Sequence, residues 1–136
     1  MTYLRYSKGQ TAPASFNEKD DCSVKSIANT GILSYEEAHC LCKEYGRPDK
    51  QGMYSNLFFK ALSTLGIKES YRFKKDYLDL GGKLVKGCSI GKFRDVCSKG
   101  TWVVFISGHF TTIIDNVIID DGYIKSKSHI IYAWKL

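Results

Sequence analysis

Apolar residues recur at helical spacing through the first half of the chain, and the pattern turns to β-type runs in the last third. The longest stripe is Tyr54, Leu57, Phe58, Ala61, Leu62 and Leu65, an i, i+3, i+4 series stopped by Gly66. A second comprises Tyr35, Ala38, Leu41, Cys42 and Tyr45. Ser34 with Glu37 three residues later is a capping box that opens it, and Gly46 with Pro48 ends it. A shorter pattern of Val24, Ile27 and Ala28 follows Asp20-Asp21-Cys22-Ser23 and closes at Gly31. The two acidic residues suit a helix cap and the positive end of the helix dipole, which puts Cys22 in the first turn.

After Gly66 the reading changes. Ile67 to Phe73 predicts a strand, Asp76 to Gly87 a loop bending at Gly81-Gly82, and Ser89 to Cys97 a short helix capped by Ser89, with Ile90, Phe93 and Cys97 inward. Beyond Lys99-Gly100, strands are expected over Thr101 to Ile106, Phe110 to Ile114, Val117 to Asp120 and Ile130 to Trp134. Helices first and an antiparallel sheet last is an α+β plan. One domain is expected over 1–136, with an N-terminal arm at 1–16, a helical part at 17–66 and a mostly β part at 67–136 that holds the short helix near 89–97.

The hairpin around Asp115-Asn116 carries the first chemical signal. Both residues tolerate positive φ, so a two-residue primed turn is expected there. That turn pairs Ile114 with Val117, Thr111 with Asp120 and His109 with Gly122. Side chains alternate along a strand, so His109, Thr111, Ile118 and Asp120 share one side and Asp121 points the other way. An imidazole thereby gains a carboxylate neighbour, diagonal to it across the ladder.

Composition narrows the classes. With 43% hydrophobic and 25% charged residues the chain reads as an ordinary globular domain rather than a disordered one. No apolar run is long enough for a membrane span, and Met1-Thr2-Tyr3-Leu4-Arg5-Tyr6 lacks a signal-like segment; a cytoplasmic protein without a membrane partner is expected. Five cysteines at irregular spacing argue for free thiols. The net charge of +6 is concentrated between Lys68 and Lys99. A solvated basic face explains it, and nucleic-acid binding through 68–99 is the alternative. The aromatic residues could stack bases, but most lie on apolar stripes and read as core.

Nucleophilic catalysis by a thiol needs the thiolate, which a helix start and a protonated imidazole both favour. Cys22 fits the first condition, and His109 supplies the second if the start of its strand lies over the first helix. Asp120 then holds the imidazole in one tautomer, and the Cys22 N–H and the Asn17 amide are candidate oxyanion donors. Other groupings carry less. His39-Cys40-Leu41-Cys42 invites a metal, but Cys40 and Cys42 diverge on a helix and no second ligand pair follows, so no metal and no organic cofactor is expected. Cys42, Cys88 and Cys97 read as core. His129 is a rival base with no carboxylate after it.

A cysteine opening the first helix, a Gly108-His109 strand start and a downstream acid in that order resemble the papain-like cysteine peptidase plan. Asp21-Cys22-Ser23-Val24-Lys25-Ser26-Ile27-Ala28, Ser89-Ile90-Gly91-Lys92-Phe93, Lys99-Gly100-Thr101 and Gly108-His109 through Asp120 are similar to small papain-like proteins encoded by bacteriophages. The resemblance covers about residues 17 to 122 and departs at Asn116, where those proteins usually carry glycine. It implies a papain-like fold of the C39-like branch, with Cys22 as nucleophile, His109 as general base and acid, Asp120 as orienting acid and Asn17, one position off the papain glutamine, as oxyanion donor. The implied activity is cleavage of a peptide or isopeptide bond in a protein or peptide substrate, in the host cytoplasm. The alternative is an inactive papain-like scaffold that binds and inhibits a host or defence protein.

Overall fold

The computed structural model describes residues 5–7, 9, 16, 18–73, 82–96, 99–120, 124 and 127–136. Among them are four helices, α1 (Cys22–Ala28), α2 (Tyr35–Glu44), α3 (Ser55–Ser63) and α4 (Ile90–Val96). The strands are β1 (Arg5–Ser7), β2 (Glu69–Phe73), β3 (Lys83–Val85), β4 (Cys88–Ser89), β5 (Thr101–Ile106), β6 (His109–Ile114), β7 (Val117–Ile119) and β8 (His129–Lys135). They form one sheet in the order β1-β7-β6-β5-β8-β2-β3, with β4 paired to β8 beside this path. The architecture is α+β with a mostly antiparallel sheet. No helix among the described residues is long and apolar enough to cross a membrane.

Both faces of the central strands are covered, and their alternation sorts the core. Val103, Phe110, Tyr132 and Trp134 pack with Val24, Ile27 and Ala28 of α1, Tyr35 and Ala38 of α2, and Phe58, Ala61 and Leu62 of α3. Trp102, Val104, Ile113, Ile118, Ile130 and Ala133 pack instead with Ile90 and Phe93 of α4. Each large side chain so buried contributes about 1.5–3 kcal/mol before chain entropy is set against it. Phe110, the residue after His109, stacks on Phe58 with ring centroids 3.9 Å apart, which ties the start of β6 to α3. Thr112 Oγ1 donates to the Ser26 carbonyl and ties β6 to α1.

The α2 capping box is present in both directions, Glu37 N–H to Ser34 Oγ and Ser34 N–H to Glu37 Oε1. Several expectations need correction. Tyr54 is not on the buried stripe of α3; the helix begins one residue later, and Tyr54 is its N-cap residue and 79% exposed. The stretch read as a loop from Asp76 to Gly87 contains β3, which pairs parallel with β2 in the register Tyr71 to Lys83. The arm contains β1, parallel to β7 in the register Arg5 to Val117. Both are three-residue edge strands, too short for periodicity to reveal. Gly81, Cys97 and Asp121 lie outside the described residues.

Candidate active site

The hairpin is built as its turn residues require. Asp115 (φ 45°) and Asn116 (φ 72°) are both left-handed, the signature of a type I′ turn. The register is Ile114 to Val117, Ile113 to Ile118 and Thr112 to Ile119. Continued by one step it sets Thr111 opposite Asp120, the residue just past β7, and the Thr111 hydroxyl donates to Asp120 Oδ2 at 2.6 Å. His109 Nε2 reaches the same oxygen at 2.7 Å. Gly108, at φ +71°, makes the preceding turn in a conformation that a side chain would strain.

Cys22 is the first residue of α1, and its side chain lines the same cleft as the His109 ring and contributes to the raised titration of that ring. Nε2 is taken by Asp120, so Nδ1 is the nitrogen left for the sulfur. The hydrogen bond to Asp120, the side-chain interaction with Cys22 and the charges of both outweigh the cost of burial and push the imidazole up to about 10 from its ordinary 6.5. His109 is therefore an imidazolium at neutral pH, paired with a carboxylate. These three residues line a cleft of about 530 Å³, together with Asp20, Asp21, Lys25, Ser26, Asn29, Gly52, Gly108, Phe110, Thr111 and Ile119. The cleft is large enough for a few residues of a peptide and runs along Cys22, Lys25 and Ser26 of α1 to its C-cap, Asn29.

Asp21 occupies the N-cap position of α1 but does not cap with its side chain. It accepts a hydrogen bond from Tyr35 Oη at 2.7 Å and pairs with Lys25 at 3.4 Å. Buried and turned toward α2, it cannot reach the N–H groups it precedes. The first intrahelical bond runs from the Lys25 N–H to the Asp21 carbonyl, so the N–H of Cys22 stands ahead of the helical ladder. Asn17 lies outside the described residues.

The residues of the metal-like string go separate ways. His39 Nε2 meets Glu18 Oε2 at 2.7 Å, Cys40 is exposed, and Cys42 is in the core, where burial pushes its thiol up to about 12. Cys22, Cys40, Cys42 and Cys88 are free thiols. His129 is exposed, pairs with Ser89 at the β4 edge and does not line the cleft. Two groups were missed from sequence. Thr111 was placed on the correct face without a role. Arg47, which the sequence reading does not single out, is buried and fork-bonded to Glu18, with Nη1 to Oε2 at 2.9 Å and Nη2 to Oε1 at 3.0 Å. The guanidinium holds the Glu18 carboxyl down to about 2. No family model, curated protein or solved structure matches the chain.

Proposed function

We propose that the chain is a papain-like thiol hydrolase of the small phage-encoded kind, cleaving a peptide or isopeptide bond of a protein or peptide substrate in the host cytoplasm. The observation that supports this is the His109–Asp120 pair at 2.7 Å, set in one cleft with Cys22 at the start of α1. An imidazolium beside a sulfur stabilises the thiolate, and a carboxylate on the far nitrogen stabilises the imidazolium.

The residues then act in sequence. The Cys22 thiolate attacks the carbonyl carbon, a C–S bond forms, and the carbonyl electron pair moves onto oxygen, with the Cys22 N–H as a donor and Asn17 as the second donor that the sequence offers. The oxyanion collapses, the C–N bond breaks, and the His109 imidazolium gives its Nδ1 proton to the leaving amine. Neutral His109 next takes a proton from water as the oxygen adds to the thioester. Collapse of this second adduct expels the Cys22 thiolate and leaves the proton on His109, which restores the starting pair. Asp120 stays ionised throughout and keeps Nε2 protonated.

A binder that only uses the scaffold requires no His109–Asp120 pair aimed at a cleft cysteine, and nucleic-acid binding through 68–99 requires none of these residues. A peptide-based electrophile separates the readings. Stoichiometric labelling of the wild type that Cys22→Ala abolishes, with the fold retained by circular dichroism, is the expected result. Labelling that persists in Cys22→Ala removes Cys22 from the role.

A further inference from the structure

A buried polar cluster around Arg47 and Glu18 lies directly ahead of α1 and adjoins the cleft through Asp20. Arg47 follows Gly46, whose left-handed φ of 104° turns the chain out of α2, and it is only 5% exposed. Its fork spans both oxygens of Glu18. Nε and Nη2 also reach main-chain carbonyls: Nε that of Gln51 at 2.9 Å, and Nη2 those of Lys19 at 3.2 Å and Asp20 at 3.5 Å. One guanidinium thus holds two separate segments. The first leads into Asp20, Asp21 and Cys22, and the second into Gly52, and all four residues line the cleft.

The first of these segments turns sharply just ahead of the nucleophile. Asp20 sits at φ 50°, a left-handed conformation that aspartate tolerates better than most residues with a side chain. It lies two residues before the nucleophile. A buried Arg–Glu pair is a poor way to gain stability, since apolar residues of similar volume do as well or better. What it does supply is direction, because five N–H groups in a fixed plane can fasten a carboxylate and two loops at once, and an ammonium group cannot.

We propose that Arg47 is a positioning residue for Cys22: through Glu18, Lys19, Asp20 and Gln51 it fixes the strap at 18–20 and the lip at 51–52, and so aims the sulfur at His109. This rests on Cys22 being the nucleophile. Arg47 touches neither the substrate nor the reacting atoms. Its loss separates the sulfur from the imidazolium while leaving the Asp120, Thr111 and His109 contacts intact.

The test is the pH dependence of Cys22 alkylation by iodoacetamide, read by mass spectrometry beside a His109 NMR titration, in the wild type, Arg47→Lys and the apolar double variant Glu18→Leu/Arg47→Met. The double variant fills the same volume and serves where the single one does not fold. The expected result is a wild-type rate that persists below neutral pH and falls about tenfold to a hundredfold there in the variants. His109 titrates lower in them than in the wild type, because the Cys22 contribution is lost, but stays above its ordinary value because the Asp120 contact remains. Variants that only melt earlier, with the wild-type profile intact, overturn the positioning role alone. A wild type that lacks reactivity below neutral pH overturns the thiol-hydrolase reading and the positioning role with it.

Discussion

Thr111 donates its hydroxyl to Asp120 Oδ2 at 2.6 Å, on the same oxygen that His109 Nε2 reaches at 2.7 Å. The carboxylate is held from the middle of β6 as well as by the base it orients. Thr111 is 1% exposed, so water does not replace it there. Thr111→Val, nearly equal in shape, removes a hydrogen bond to a charged group and is expected to cost about 1.5–3 kcal/mol in urea unfolding. Thr111→Ser keeps the donor and should lose less. Equal losses in the two variants would mean that the methyl group and not the hydroxyl matters.

The raised His109 titration sets an alkaline limit. The folded value of about 10 lies above the ordinary 6.5, so folding favours the protonated ring. Its contribution is full below about 6.5, drains as pH rises through that window and is gone above about 10. Asp120→Asn removes the largest cause of the shift. The expected outcome is an NMR titration of His109 that moves down toward 6.5 and a thermal unfolding midpoint that varies less across that window. Asp121→Asn should leave both unchanged, and the opposite ranking would break the hairpin register.

Glu18 sets an acid limit of the opposite sign. Its folded value of about 2 lies below the ordinary 4.5, so its contribution is full above 4.5 and is lost as pH falls toward 2. Glu18→Gln should lower stability at neutral pH and flatten the acid limb, with circular dichroism against pH as the measurement. An acid limb as steep as in the wild type would assign acid unfolding to other carboxylates.

At the turn, Asn116→Val places a β-branched side chain at φ 72°. The strain is expected to cost about 1–2 kcal/mol in urea unfolding. Asn116→Gly relieves the same strain and should be neutral or stabilising. If both variants unfold like the wild type, the left-handed turn is not what holds the register.

What was legible in the sequence follows the reach of local rules. The capping box at Ser34 and Glu37 and the stripe over Phe58, Ala61 and Leu62 are short-range signals, and both elements are present. The approach of His109 to Asp120 was legible because a two-residue turn and a period of two leave no freedom between them. The placing of Cys22 and His109 in one cleft depends on α1 lying against β6, which no spacing states, and the family resemblance supplied that expectation. Arg47 carried no signal at all, since an arginine between Gly46 and Pro48 looks like a helix exit on the surface. Its partner Glu18 is 29 residues away, and only the folded chain brings the two together. Asp21 misled for a related reason: a carboxylate ahead of a helix resembles a cap, but Tyr35 and Lys25 claim it.

The central claim is that Cys22 and His109 act as a pair, and the rate of Cys22 alkylation by iodoacetamide from about pH 5 to about pH 9 tests it most directly, in the wild type and in His109→Asn. The account predicts a wild-type rate that stays high well below the free-thiol range of about 8.5, and a His109→Asn rate that rises only as pH approaches that range. Superimposable profiles for the two proteins, both rising only near the free-thiol range, would contradict it.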